Sequence, residues 1–194
     1  MNSLTVGFAL TGSYCTFDKI LPEIQKVADM GFNIIPIMSE NVYSTDTRFG
    51  KASYFRERLT EICGNDIIKT IKEAEPIGPG KLLDALIIAP CTGNSLAKLS
   101  TGIADTSVTM AAKAILRNEK PVIVAVSTND GLGNACKNIG TLLNLKNYYF
   151  VPFNQDSPMA KPRSVVADMT LICTTLSDAL EGKQIQPVFY QKKV

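Results

Sequence analysis

The sequence predicts an α/β fold in which a mainly parallel sheet carries helices on both faces. Short apolar segments with strand periodicity alternate five times with segments of helical periodicity, and this alternation is typical of parallel sheets. Two strand segments, 86–89 and 122–126, are apolar at every position, as expected for strands that are buried on both faces. With 194 residues, the chain fits one domain over 1–194.

Residues 4–38 predict a strand, a helix and a second strand. Over 4–10, apolar side chains alternate with small or polar ones, which is the two-residue period of a strand. Apolar residues then recur at helical spacing over 17–28, and Gly31 ends that helix. The second strand, 34–38, contains Pro36, which predicts an edge or bulged position because proline cannot donate a hydrogen bond to a neighbouring strand.

The segment 39–82 is longer than a plain connection between two strands. Its beginning, 39–50, is polar and predicts a loop, a candidate flap. Helices are predicted near 52–63 and 66–74, and residues 75–80 carry two prolines and two glycines.

The second half of the chain predicts further strands at 86–89, 122–126 and 148–151, with helices at 95–99, 109–117 and 136–145 between and after them. A loop is predicted over 152–163. A final helix is predicted because one stripe at helical spacing holds these apolar residues: Val165, Met169, Ile172, Leu176, Ala179 and Leu180.

The composition excludes several classes of function. The chain has no histidine, which excludes a His-based triad, a His general base and a His metal site. The net charge of +2 without a basic block disfavours a nucleic-acid or anionic-membrane partner, and no apolar run approaches twenty residues. The five cysteines form no C-x-x-C pair, so we expect no metal centre. Reduced thiols without a signal peptide predict a cytoplasmic protein.

In parallel sheets, ligands bind beyond the carboxyl ends of the strands, so the segments that follow the strands are the candidate site. The first segment contains Thr11, Gly12 and Ser13, between strand one and the first helix. A glycine there permits close backbone approach, and the helix N-terminus favours an anion. The segment is neither a G-x-G-x-x-G fingerprint nor a P-loop. An ordinary strand–helix turn with an N-cap serine is an equally good interpretation.

The second segment, after strand three, holds Pro90, Thr92, Gly93, Asn94 and Ser95. A proline that ends the strand and several short polar side chains at one helix N-terminus favour a phosphate or a polar ring. The alternative is two capped helices, the second capped by residue 105 or 106.

Two later segments are also candidates. After strand four, Asn129 and Asp130 are suited to a ring edge or a ribityl hydroxyl, although Asn-Asp-Gly is also ordinary turn chemistry. In the loop 158–163, Lys161 and Arg163 suit a dicarboxylate or phosphate, although a solvated loop with two charges is the commoner case. Arg48, in the candidate flap, has the same two interpretations.

Taken together, these segments resemble a known family. The residues that carry the resemblance are Thr11-Gly12-Ser13, Ser39, the run 90–98 with 102–105, and Ser127-Thr128-Asn129. They resemble the flavoprotein family, which includes flavin-containing cysteine decarboxylases and flavin prenyltransferases, over about residues 4–180.

The resemblance implies a flavodoxin-like or Rossmann-like three-layer αβα sandwich that assembles into homo-oligomers, trimers or multiples of them. FMN would lie between protomers, with its phosphate near Gly12, Ser13, Ser39 and the helix start after strand three, and with Asn129 near the ring or the ribityl chain. The implied cofactor-binding residues are Thr11, Gly12, Ser13, Ser39, Pro90, Thr92, Asn94, Ser95, Ser127 and Asn129.

The resemblance also implies an activity, the oxidation of a small cyclic dicarboxylate to an aromatic ring, together with a separate subunit that binds NADP. Arg48, Lys161 and Arg163 are the predicted carboxylate ligands, and no catalytic residue is assigned. Two departures bear on other family activities. The decarboxylases use a histidine that this chain lacks, and the tyrosine that precedes a late Arg-Pro in the prenyltransferases is absent. A flavin-free subunit that binds an anion and a flavin prenyltransferase are the alternatives.

Overall fold

Residues 3–190, the part of the chain that the computed structural model describes, form one seven-stranded sheet with helices on both faces. The strands are β1 (Thr5–Leu10), β2 (Asn33–Met38), β3 (Ala85–Cys91), β4 (Val122–Thr128), β5 (Tyr148–Phe150), β6 (Phe153–Ser157) and β7 (Lys161–Ala167). The helices are α1 (Phe17–Asp29), α2 (Glu40–Ser44), α3 (Ala52–Cys63), α4 (Ile71–Ala74), α5 (Gly93–Thr101), α6 (Ser107–Arg117), α7 (Asn134–Asn144) and α8 (Ile172–Leu180).

The strand order is β2-β1-β3-β4, and all three of these pairs are parallel. β5 continues the sheet by pairing in parallel with the first half of β4. This 2-1-3-4-5 order is that of flavodoxin-like folds, and its switch point lies between β1 and β3, where the chain changes direction across the sheet. The predicted α/β sandwich with a mainly parallel sheet is therefore confirmed.

The helices form two layers. α1 packs against α3 and α8 on one face, whereas α6 packs against α4 and α5, and α5 against α7, on the other. Because both faces are covered, every residue of β3 is buried, as its apolar sequence predicts. β2 is an edge strand of the sheet, in agreement with the position predicted from Pro36.

Helix ends at the site edge of the sheet are fixed by side-chain caps. The Thr92 hydroxyl accepts the Ser95 N–H at the start of α5, and the Thr106 hydroxyl accepts the Thr109 N–H at the start of α6. Between them, Gly102 ends α5 with a φ of 73°, a conformation that glycine adopts without strain. These caps fix where the two helices begin: α5 directly after β3, and α6 beside the end of β2, where the Ser107 hydroxyl donates to the Met38 carbonyl at 2.6 Å.

Four sequence predictions are wrong in detail. The segment 39–50 is not a plain loop, because α2 forms within it, and of 66–74 only Ile71–Ala74 is helical. The final helix begins at Ile172, and Val165 belongs to a strand. The predicted loop 152–163 is most of the β6–β7 hairpin, which forms because β7 pairs antiparallel with the end of β4.

No helix among the described residues is both long and apolar enough to cross a membrane. Residues 3–190 also hold no group of three Cys, Asp or Glu side chains positioned to bind a metal ion.

Candidate functional site

A cavity of about 610 Å³ lies at the carboxyl ends of β1, β2 and β3. Its lining includes six of the ten residues predicted to bind the cofactor: Thr11, Gly12, Ser39, Thr92, Asn94 and Ser95. Each of them follows a strand or opens the next helix, so the parallel topology brings them together.

The end of β1 is tied to the end of β3 by a single buried hydroxyl. Thr11 Oγ1 donates to the Pro90 carbonyl at 2.7 Å and accepts the Thr92 N–H at 3.1 Å. Pro90 itself is buried and does not line the cavity. Its contribution to the site is therefore structural: its carbonyl anchors Thr11.

The start of α5 is the strongest anion-binding feature of this cavity. The Thr92 and Ser95 hydroxyls lie 3.1 Å apart, and the first-turn N–H groups of a helix have no partner within the helix. A Cβ on Gly93 would lie 2.8 Å from Thr128 Oγ1, so glycine allows this helix start to pack closely against the end of β4. Hydroxyls, N–H groups and the positive end of the helix dipole together suit a phosphate.

Ser13 and Ser127 meet beside this cavity. Their hydroxyls lie 2.8 Å apart, which joins the turn after β1 to the end of β4. Ser13 makes no side-chain cap to the helical turn that follows it, so the structure does not support the interpretation as an N-cap serine. Cys15, which follows, is exposed, with its Sγ 3.9 Å from Ser13 Oγ.

The structure adds lining residues to those predicted to bind the cofactor. Lys98 and Asp105 both line the cavity and form an ion pair, with Nζ–Oδ distances of 2.8 and 2.9 Å. Glu40 accepts the Ser107 N–H at 3.2 Å, and so supports the start of α6. The pattern of short polar residues gave no signal for the ion pair of Asp105, because its partner Lys98 lies in a different element, α5.

Tyr14 is a further lining residue that was missed. Its hydroxyl donates to the Asn41 carbonyl at 3.2 Å, linking the turn after β1 to α2, and burial raises its pKa. The centre of its ring lies 5.4 Å from that of the Phe17 ring, which anchors it to the core.

A second cavity, of about 360 Å³, is lined by Asn129, Lys161, Pro162 and Arg163. Asn129 therefore lines this cavity and not the first, together with the two predicted cations. Lys161 forms an ion pair with Asp156 at 3.1 Å across the hairpin. The Arg163 guanidinium has no ion pair or hydrogen bond within residues 3–190.

Arg48 lies apart from both cavities. It is exposed on the turn after α2, with its guanidinium carbon 4.8 Å from the centre of the Phe49 ring. The structure thus brings together two of the three predicted carboxylate ligands and leaves the third on the surface.

The buried cysteine at the site does not resemble a nucleophile. Cys91 ends β3 and is fully buried, and burial raises the pKa of its thiol well above the ordinary value. Cys91 is therefore a core residue of β3.

A larger cavity, about 910 Å³, lies at the β2 edge of the sheet between α3 and the segment 66–73. The Tyr43 ring lies between two cations there, with Arg56 at 4.8 Å and Lys69 at 4.7 Å from its centre. No residue predicted from the sequence lines this cavity, so it is not the candidate site.

Comparisons with known proteins find relatives over nearly the whole chain. The family described as Flavoprotein matches residues 1–176. The B subunit of dipicolinate synthase from Bacillus subtilis (strain 168) is 42% identical over 186 residues, which cover 96% of this chain and 93% of that protein.

Solved structures give the same result for the fold. The crystal structure of the dipicolinate synthase B subunit from Bacillus halodurans C is 44% identical, covers 100% of both chains and has a TM-score of 0.90. An FMN-dependent cysteine decarboxylase, SpaF, is 19% identical, covers 92% of this chain and 97% of its own, and has a TM-score of 0.62. At that identity the second similarity shows the fold alone.

Proposed function

The chain belongs to the flavoprotein family, and from this premise we propose that it is the B subunit of a dipicolinate synthase. In this role it binds FMN and acts with an A subunit that binds NADP. The pair oxidises dihydrodipicolinate to dipicolinate during sporulation, in the cytoplasm of the mother cell. This function is supported by the relatives that match almost the full chain, since both are named as the B subunit of dipicolinate synthase.

The observation that supports the cofactor is the donor-lined cavity at the switch point between β1 and β3. Six predicted residues line it, and the start of α5 offers the Thr92 and Ser95 hydroxyls together with first-turn N–H groups other than that of Ser95, which the Thr92 hydroxyl accepts. The residues present fit FMN in this respect, with Gly12 exposed at the cavity for close approach of the cofactor and Ser39 also in its lining. FMN, when bound, supplies a ring that accepts a hydride.

The second cavity supports a dicarboxylate substrate. Lys161 and Arg163 place two cations along one strand, and Asn129 adds an amide beside them. Guanidinium and ammonium groups bind carboxylates, so these three residues would orient the substrate ring next to the cofactor site. Carboxylate binding by Arg48 stays a prediction, since Arg48 lines neither cavity.

Aromatisation suits a chain without histidine. Removing two hydrogens from a dihydropyridine is driven by the aromaticity of the product, so the protein's main tasks are to bind the two carboxylates and to place the ring beside a hydride acceptor. Both tasks need donors and cations, which the two cavities offer.

We also propose that the chain forms a homo-oligomer, a trimer or a multiple of it, with the cofactor between protomers. Asn129, predicted near the flavin ring, lies in the second cavity and not in the first, so a neighbouring copy would complete the enclosure of a flavin ring. Sedimentation of the chain with and without FMN tests this part.

The decisive experiment combines the purified chain with its A subunit, dihydrodipicolinate and NADP. We expect dipicolinate to form faster than with the A subunit alone, and the purified chain to carry FMN or to gain thermal stability from it. No acceleration would reject the proposed function. A colourless chain that accelerates the reaction without responding to FMN would instead favour a flavin-free subunit, and binding of a prenyl phosphate beside FMN would favour a prenyltransferase.

A further inference from the structure

A carboxylate without a partner lies beside the second cavity. Asp130 follows Asn129 in the turn after β4, and its Oδ1 is shielded from solvent and has no hydrogen-bond partner within residues 3–190. The residue as a whole is partly exposed. Shielded carboxylate oxygens normally accept donors, because leaving them unpaired costs free energy. Both lone-pair positions of this oxygen are therefore unused.

The turn that carries Asp130 is held rigidly. The Asp130 carbonyl accepts the N–H groups of Gly133 at 2.8 Å and Ala135 at 3.3 Å, and Leu132 N–H donates to the Arg163 carbonyl at 3.0 Å. This fixes the turn both to the start of α7 and to β7. Asp130 is thus a preorganised group, whose position does not depend on a mobile loop.

Arg163 flanks the same point of the turn. A Cβ built on Gly133 would lie 3.7 Å from Asp130 Cβ and 3.7 Å from Arg163 Cδ, so the two side chains border one glycine. The described residues nevertheless contain no ion pair between them within 4.0 Å, although seven other pairs form. A guanidinium and a carboxylate therefore lie side by side without forming an ion pair.

Other carboxylates near the two cavities are each engaged by a donor. These are Asp156 with Lys161, Asp105 with Lys98, and Glu40 with the Ser107 N–H. Since the chain has no histidine, the candidate proton acceptors at these strand ends are carboxylates, and within residues 3–190 Asp130 is the one among them with a solvent-shielded oxygen that has no hydrogen-bond partner.

We propose that Asp130 accepts the proton that leaves the substrate ring, while Arg163 holds the neighbouring carboxylate. This inference rests on the proposed function. The dihydropyridine dicarboxylate loses a hydride from one sp³ carbon to an oxidant of the nicotinamide or flavin class. A proton leaves the adjacent sp³ carbon for Asp130, and the electron pair of that C–H bond becomes the new ring double bond. Asp130 then returns the proton to water.

The test compares Asp130→Asn with Asp130→Glu in the complex of both subunits. We expect Asp130→Asn to lower kcat by about 10²- to 10⁴-fold, the usual contribution of general base catalysis, with KM little changed. Asp130→Glu, which keeps the carboxylate, is expected to recover part of the rate. Asp29→Asn, an exposed carboxylate at the far end of α1, serves as the matched control and should keep the wild-type rate.

A second readout does not depend on turnover. Calorimetric titration of dipicolinate into the isolated chain should give Asp130→Asn an affinity equal to or higher than the wild type, because the carboxylate repels the product dianion. Combined loss of binding, thermal stability and rate, with no recovery in Asp130→Glu, would assign Asp130 a structural role and overturn the proposal.

The outcomes distinguish a failure of the proposed function from a failure of the role of Asp130 alone. If the wild-type chain does not accelerate dipicolinate formation over the A subunit alone, the proposed function fails, and the role of Asp130 fails with it. If the wild type is active and Asp130→Asn keeps more than about a tenth of kcat, the function stands and only the role of Asp130 is rejected.

Discussion

The Thr11 hydroxyl donates a hydrogen bond of 2.7 Å to the Pro90 carbonyl and thereby joins the ends of β1 and β3. The same oxygen accepts the Thr92 N–H at 3.1 Å, so one buried side chain holds both walls of the first cavity. These two strands flank the point where the chain reverses direction across the sheet, which is where flavodoxin-like folds bind their ligands. The contact therefore sets the width of the proposed cofactor site.

Replacing Thr11 by valine should destabilise the fold and weaken FMN binding together. Valine keeps the shape but leaves the Pro90 carbonyl and the Thr92 N–H without a partner, which costs about 1–3 kcal/mol of unfolding free energy. Urea unfolding and flavin fluorescence titration measure the two effects. The control is Thr101→Val, which removes an exposed hydroxyl from the end of α5. Unchanged stability in Thr11→Val would contradict the anchoring role.

Gly93→Ala tests the close packing of the α5 start against β4. The new methyl would lie 2.8 Å from Thr128 Oγ1, so either the Thr128 side chain or the helix N-terminus at the cavity must shift. We expect a lower melting temperature and weaker FMN binding, and partial recovery when Thr128→Ala is added. Gly140→Ala is the control: it lies inside α7 with open space around it and should gain about 0.5–1 kcal/mol of stability.

The sequence was sufficient to predict the parallel part of the sheet and six of the residues that line the first cavity, because both depend on local signals. α3 occupies the predicted range 52–63, β3 is buried throughout, and the polar residues that follow β1, β2 and β3 line one cavity. Parallel topology alone brings strand ends to one edge, so a correct strand assignment was enough.

The β6–β7 hairpin could not be predicted in the same way. β6 is mostly polar and Pro162 lies in β7, so neither strand shows apolar alternation. Val165 also has, by coincidence, the spacing of the apolar stripe that was predicted for the last helix, although it belongs to β7. What makes β7 a strand is its pairing with Ser127 and Thr128, a contact between segments almost forty residues apart. Tertiary pairing here overrides local propensity.

Thiol labelling should report occupancy of the first cavity. Cys15 is exposed beside Ser13, whereas Cys136 is exposed near the start of α7, outside both cavities. In the native chain both should react quickly with iodoacetamide, and the buried Cys91 only after unfolding. FMN should slow labelling of Cys15 several-fold and leave Cys136 unaffected, as measured by peptide mass spectrometry. Equal rates at Cys15 with and without bound FMN would contradict the predicted binding position.

Alkaline pH should destabilise the fold through Cys63. Burial raises the pKa of Cys63 from 9.0 to about 12, so the folded chain binds more protons than the unfolded chain between these values. The stability that the protonated Cys63 thiol contributes to the fold is complete below pH 9. It is lost as the pH rises towards 12, because the thiol of the unfolded chain ionises first. Tyr148, whose pKa burial raises from 10.0 to about 12, acts in the same direction.

Urea unfolding at pH 8, 9 and 10 should therefore show a falling free energy of unfolding, and Cys63→Ala should make that fall shallower by up to about 1 kcal/mol per pH unit. The control Cys136→Ala removes an exposed thiol and should keep the wild-type slope. A slope that is the same in all three chains would show that Cys63 does not contribute.

Arg163 and Lys161 should differ in their importance for dicarboxylate binding, although both line the second cavity. Lys161 is paired with Asp156 at 3.1 Å, so part of its charge is already neutralised, whereas Arg163 has no such pair within residues 3–190. A guanidinium also binds a carboxylate through two hydrogen bonds, which an ammonium cannot do. We expect Arg163→Gln to weaken dipicolinate binding by about 10- to 100-fold and Lys161→Gln by only a few-fold. Calorimetry on the isolated chain measures both, and an equal or larger effect of Lys161→Gln would mean that the ion pair with Asp156 opens on binding and that Lys161 is the principal ligand.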